Sequence, residues 1–221
     1  MKRVLLMAGH YGSGKTNIAV NLAMKLKKEG KPVVIADLDI VNPYYRTKDS
    51  RDELEEAGIP LISSAYANSN VDVPALPQEL YSIFANKDNY AIMDIGGDDR
   101  GALALGRYTP FILEEDNYEM YFVLNCFRPL TRTVEDAIGV MREIEEAGGI
   151  RFTGIINNSN LGAETTPEDV TGSAAFAEEL AAASGLPVCF TTVWEELFDR
   201  VSDKIPNVLL LHLQDKRLWR Q

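Results

Sequence analysis

Gly9-His10-Tyr11-Gly12-Ser13-Gly14-Lys15-Thr16 decides the fold of this chain. The stretch fits G-x-x-x-x-G-K-[ST] without a gap. Ahead of it runs Val4-Leu5-Leu6-Met7-Ala8, all apolar. Behind it Ile18, Ala19, Leu22, Ala23 and Leu26 recur at helical spacing. Strand, glycine-rich turn and helix in that order predict a phosphate-binding loop. Glycines let successive backbone N–H groups converge on phosphate oxygens. The helix N-terminus adds its partial positive charge. Lys15 is expected to reach the β- and γ-phosphates, and the Thr16 hydroxyl to ligate Mg²⁺. The phosphate-binding set is Gly9, Tyr11, Gly12, Ser13, Gly14, Lys15, Thr16 and Asn17.

Outward from the loop, apolar runs alternate with helix-period segments. Strands are expected at 3–8, 32–37, 59–63, 90–94, 118–124, 152–156 and 187–191. Helices are expected at 15–29, 53–57, 77–85, 99–115 with a break near Thr109-Pro110, about 133–148, 173–184, and one or two over 194–218. Thr133-Val134-Glu135-Asp136 has the form of a capping box. Residues 66–74 read as a loop. The strand runs are apolar throughout rather than alternating, so both faces are covered. Alternation of strand and helix predicts an α/β fold: a doubly wound, mostly parallel sheet with helices on both faces, formed by one domain over residues 1–221.

In such a sheet, ligands bind at the carboxyl ends of the strands. The second strand ends in Asp37-Leu38-Asp39, two carboxylates on one side of an extended chain. One suits a Mg²⁺ shell and the other an attacking water. Tyr90–Met93 is followed by Asp94-Ile95-Gly96-Gly97, an apolar strand ending in a carboxylate, with D-x-x-G spacing that sets the Gly97 N–H toward a γ-phosphate. Metal ligation therefore falls to Thr16, Asp37 and Asp94. After the 152–156 strand stands Asn157-Asn158-Ser159-Asn160. An Asn amide matches the 6-amino group and N7 of adenine, and Asn157 or Asn158 is the candidate base contact. No N-K-x-D motif for guanine is present, so ATP is expected over GTP. Trp194 would pack or stack on the base.

Composition sets the outer limits. The chain has 221 residues, 46% hydrophobic and 25% charged, with a net charge of −11. That composition suits a soluble α/β domain and argues against nucleic acid or anionic membrane as a partner. The two cysteines, Cys126 and Cys189, read as buried free thiols. The N-terminal apolar run is too short for a signal peptide, and no apolar stretch reaches 18 residues, so a cytoplasmic location is expected.

GHYGSGKT, ADLDIVNP, IMDIGGD and IINNSN together resemble the MinD/ParA/CobQ group of P-loop ATPases, which includes the nitrogenase iron protein and the CooC-like metal-insertion ATPases. The similarity spans about residues 3–200. It implies a P-loop NTPase fold with ATP and Mg²⁺ as cofactors, Lys15 and Asp39 as catalytic residues, Asp94 as the Walker B carboxylate, and nucleotide-dependent binding of a protein partner. Members of the group typically dimerise around ATP, so a homodimer is implied as well. Here His10 stands where the group carries its signature lysine. Asn42-Pro43-Tyr44-Tyr45-Arg46 reads as a partner contact or local packing, and the C-terminal Leu209–Leu213 with Lys216–Arg220 as a terminal helix docked on the core rather than a membrane anchor. Arg100, Arg107, Arg128 and Arg132 would line an acceptor pocket if the chain were instead an ATP-dependent ligase or transferase of the dethiobiotin synthetase type. A nucleotide-binding module with little turnover is the third reading.

Overall fold

Side chains along each strand alternate between two apolar layers, and this alternation organises the molecule. The computed structural model describes residues 1–39, 50–63, 78–97 and 99–212. In β1 (Val4–Ala8), Val4, Leu6 and Ala8 face one layer, and Leu5 and Met7 the other. All five are buried, as a strand covered on both faces requires.

The other elements follow the expected alternation. They are α1 (Lys15–Lys28), β2 (Val33–Leu38), α2 (Arg51–Glu56), β3 (Leu61–Ser63), α3 (Ser82–Ala85), β4 (Tyr90–Ile95), α4 (Asp99–Gly106), α5 (Thr109–Glu115), β5 (Tyr118–Leu124), α6 (Val134–Gly148), β6 (Gly154–Asn157), α7 (Pro167–Ser184), β7 (Val188–Trp194), α8 (Glu195–Val201) and β8 (Val208–Leu211). Short 3₁₀ turns lie at Gln78–Tyr81, Pro129–Thr131 and Gly162–Glu164. The described strands form one sheet in the order β3-β2-β4-β1-β5-β6-β7-β8, every neighbouring pair parallel. Residues of α1 and α2 pack on the face that carries Leu5, Met7, Ile35 and Ile92. Residues of α4, α5, α6 and α7 pack on the face that carries Leu6, Met93 and Phe122. The doubly wound α/β architecture is thus as the pattern implied.

Three segments differ from expectation. Helix α7 begins at Pro167, well before residue 173. A full capping box between Thr166 and Asp169 starts it and carries it through Gly172, despite the helix cost of glycine. At Thr133 only half the expected box forms: its hydroxyl accepts from the Asp136 N–H at 3.1 Å.

The third difference is a correction. Val208–Leu211 is a strand, not part of a terminal helix. Pro206 and the left-handed Asn207 (φ 53°) turn the chain, and the apolar run extends the sheet beside β7, with Leu209 and Leu211 buried on the α1 side. Asn21 of α1 fixes its end: the His212 N–H donates to Asn21 Oδ1 at 2.9 Å, and Asn21 Nδ2 donates to the His212 carbonyl at 3.1 Å. Both cysteines are free but half-buried rather than fully buried. The expected loop at 66–74, the Asn42–Arg46 contact and residues 213–221 lie outside the described residues.

Candidate nucleotide site

The phosphate loop joins β1 to α1 at the carboxyl edge of the sheet's middle. Gly14 takes the left-handed conformation (φ 90°, ψ 21°) just before the first turn of α1, where no side chain caps the helix. The first N–H groups of a helix have no acceptor within the helix, and an anion is a ready partner for them. Ser13 Oγ, buried in the same loop, has no hydrogen-bond partner among the described residues. A buried hydroxyl left this way fits a phosphate oxygen close by. Lys15 is buried, with Nζ donating to the His10 carbonyl at 3.3 Å across the loop.

Strand parity brings the carboxylates to the loop. Ile35 and Ile92 face α1, so Asp37 and Asp94, two residues on, face α1 as well. The two aspartates are paired in register on adjacent parallel strands. Thr16 Oγ1, in the first turn of α1, donates to Asp94 Oδ2 at 2.6 Å, and both residues are buried. Asp37 Oδ1 accepts from the Asp39 N–H at 3.0 Å, fixing the turn after β2. Asp39 is buried and lies against the β4 loop: a Cβ on Gly96 would come 3.4 Å from Asp39 Oδ1. Gly97 lies closer still to the phosphate loop, where a Cβ would stand 2.7 Å from Tyr11 N and 2.9 Å from Lys15 Nζ. The hydroxyl and carboxylate oxygens assembled here suit a hard cation such as Mg²⁺.

The asparagines occupy a different role from the expected one. Asn157 is fully buried; its Nδ2 donates to Ser173 Oγ at 3.0 Å and its Oδ1 accepts from the Ser159 N–H at 3.2 Å. Asn158 is 3% exposed. Its Nδ2 donates to the Ser13 carbonyl at 2.5 Å, and its Oδ1 accepts from Thr192 Oγ1 at 2.5 Å. Both amides bond within the protein through Nδ2 and Oδ1, and Asn158 ties the phosphate loop to β7. Its amide touches the place where a Cβ on Gly14 would stand, so that position must be glycine. Asn17 also bonds within α1, accepting from Asn21 Nδ2 at 3.2 Å. Trp194 is the last residue of β7 and is half-buried.

One contact was not legible in the motifs. Arg128, on the loop after β5, donates from Nε to the Gly12 carbonyl at 3.0 Å. Nothing in the spacing of residues 116 positions apart announces it.

The CobQ/CobB/MinD/ParA nucleotide binding domain matches residues 4–170. The chain belongs to this family. It is 26% identical over 205 residues to the signal recognition particle protein of Mycobacterium leprae, covering 89% of this chain and 36% of that protein. Among solved structures, FtsY of Thermotoga maritima shares its fold with a TM-score of 0.61 at 20% identity, covering 87% of this chain and 62% of that one. Chloroplast FtsY of Physcomitrella patens gives 0.59 at 19% identity, over 86% and 58% of the two chains. The signal recognition particle 54 kDa protein of Aeropyrum pernix, solved with GDP, gives 0.53 at 18%, over 86% and 41%. The chain spans about a third of the first relative and less than two thirds of these solved chains. Among the described residues no helix is long and apolar enough to cross a membrane.

Proposed function

We propose that this member of the family is a Mg²⁺-dependent ATPase whose nucleotide state is read by a protein partner, as one domain acting in the cytoplasm. The observation that carries the reading is the closure of the β4 loop on the phosphate loop: Thr16 bonded to Asp94 at 2.6 Å, and Gly97 seated against Tyr11 and Lys15. Backbone N–H groups from Gly9 to Thr16 and the ammonium of Lys15 would hold the phosphates. Thr16 and Asp94, with Asp37 beside them, would hold Mg²⁺, which when bound neutralises charge on the phosphates. Asp39, buried beside Gly96, would accept a hydrogen bond from the attacking water and orient it. Loss of the γ-phosphate would release the Gly97 loop, and residues 37–39, packed on it, would respond. That is the step a partner would sense.

ATP is favoured over GTP on the chemistry of the 157–160 loop. Guanine offers N1–H and N2–H donors together, which a carboxylate accepts well. Residues 157–160 carry none. The solved relatives with GDP bear on their own sites. For the ligase reading, an acceptor pocket must adjoin the triphosphate. A cavity of about 620 Å³, lined by Tyr118, Arg142, Glu145 and Arg151 among others, lies at the amino ends of the strands, opposite the phosphate loop. It gives that reading no support.

The test is nucleotide binding and phosphate release in two variants. Lys15→Ala should abolish binding of MgATP by calorimetry. Asp39→Ala should bind MgATP and release no phosphate. Normal hydrolysis by Asp39→Ala would remove the assignment of the attacking water, and tighter binding of GTP than ATP would overturn the base preference.

A further inference from the structure

Resting on the nucleotide-site reading above, the geometry points to Arg128 as a second cation of the phosphate site, donating to the terminal phosphate of a nucleoside triphosphate bound in its own chain. Its Nε donates to the Gly12 carbonyl at 3.0 Å, so the guanidinium is held on the phosphate loop itself. A Cβ on Gly12 would come 3.3 Å from that Nε and 3.5 Å from Cζ, so the charged group lies directly over the Gly12 backbone. Bracing a neutral carbonyl uses one N–H. An arginine carries five, and those on the two terminal nitrogens have no protein partner among the described residues. The side chain is solvent-exposed, open to a ligand.

The loop carrying Arg128 is built to hold it still. Asn125, 1% exposed, accepts on its carbonyl from the Arg128 N–H at 3.0 Å and from Thr131 Oγ1 at 2.6 Å. Its Oδ1 accepts from the Phe127 N–H at 3.1 Å, and its Nδ2 donates to the Asn160 carbonyl at 3.2 Å. Ser159 Oγ accepts from the Cys126 N–H at 3.0 Å. The guanidinium is thus presented on a turn anchored to β5 and to the loop after β6, with little ordering left to do on binding. The charge also has a use. A Mg²⁺–triphosphate retains negative charge beyond what the metal cancels. In the phosphate loop Lys15 is the permanent cation, and its neighbour His10 is a half-buried imidazole whose Nδ1 lies 3.1 Å from the Tyr11 carbonyl. An arginine matches phosphate oxygens in its fork of donors and never gives up its charge.

Calorimetry with MgADP and with a non-hydrolysable MgATP analogue tests this on the full chain. Arg128→Gln should weaken the triphosphate analogue about tenfold or more, the lower end for a charged hydrogen bond, and leave ADP within about twofold. Arg128→Lys should recover part of the loss. Equal loss for both nucleotides would show that the arginine only braces the loop and would overturn the proposal. Phosphate release restored on mixing Lys15→Ala with Arg128→Gln would overturn it too, because the guanidinium would then serve a second copy's nucleotide. Wild-type protein that binds neither nucleotide would overturn the underlying reading of the site and this proposal with it, whereas wild-type binding with an unaltered Arg128→Gln variant overturns this proposal alone.

Discussion

Asn158→Ala separates two roles that one side chain can play at a nucleotide site. In the structure its amide is a tie rather than a reader: Nδ2 to the Ser13 carbonyl and Oδ1 from Thr192 Oγ1, each 2.5 Å, at 3% exposure. Truncation removes both bonds, each contributing about 1 kcal/mol net. Thr192 keeps a partner, since its hydroxyl also donates to the Asn157 carbonyl at 3.3 Å. The Ser13 carbonyl loses this donor, and an unsatisfied buried acceptor costs about 1 to 3 kcal/mol more. The sum is about 3 to 5 kcal/mol, which in a chain of this size lowers Tm by about 6 to 20 °C. The measurement is the melting curve of the nucleotide-free protein. Asn158→Asp sharpens it: the carboxylate can still accept from Thr192, but an oxygen would face the Ser13 carbonyl at hydrogen-bond distance, so this variant should be at least as unstable. A base-reading role predicts another outcome. Both variants would then melt within about 1 °C of wild type while the preference for ATP over GTP collapsed, and that result would refute the tie.

Gly97→Ala should retain ADP binding but slow phosphate release about 100-fold, because its Cβ at 2.7 Å from Tyr11 N forces the β4 loop off the phosphate loop by a sizeable fraction of an ångström; an unchanged rate in a phosphate-release assay would mean that the loop need not close. Arg3→Ala strands Glu115, its buried ion-pair partner with both side chains 7% exposed, and should cost about 3 kcal/mol by denaturant titration, while Glu115→Gln, which leaves the arginine a neutral acceptor, should cost less. Burial pushes the Cys126 and Cys189 thiols up. Each folded value therefore lies above the unfolded one, so the contribution to stability is full below the unfolded thiol pKa of about 8.5 and is lost as pH rises through the folded pKa. The denaturant midpoint should fall between pH 7.5 and 9.5, by less in the Cys126→Ala, Cys189→Ala double variant.

Those features of the fold that depend on local pattern were legible. Alternation of apolar runs and helix-period segments gave a doubly wound sheet, and Pro110 marked the break between α4 and α5. Errors fell where two local signals compete. Gly172 looks like the edge of a helix, yet Thr166 and Asp169 start α7 upstream of it and the Gly172 site is open to solvent, so the glycine is tolerated at a modest helix cost. Val208–Leu211 is four apolar residues, too short for periodicity to separate strand from helix. The pairing of Val208 with Thr191 decided it, and that pairing is a tertiary fact.

At the site, the same division explains what could be read. Asp37 and Asp94 face α1 because strand parity carries them there, and parity is visible in the sequence. Which hydrogen bonds an asparagine has already spent is not. Asn157 and Asn158 advertise donors and an acceptor each, and in the structure they bond to Ser173, Ser159, Ser13 and Thr192, partners on four different segments. The strand order accounts for this. β4, β1 and β5 lie side by side in the middle of the sheet although Tyr90 stands 82 positions after Ala8. Their carboxyl ends supply Asp94, the phosphate loop and Arg128 in turn. β6 and β7 then stand on the β5 side, so Asn158 and Thr192 meet the phosphate loop from that flank. The phosphate loop is therefore held on both sides, by Asp94 through Thr16 and by Asn158 through Ser13. A loop clamped in this way keeps its N–H groups aimed before any ligand arrives, and the β4 loop at Gly97, with the Asp39 turn packed against it, closes over the loop from the Asp94 side.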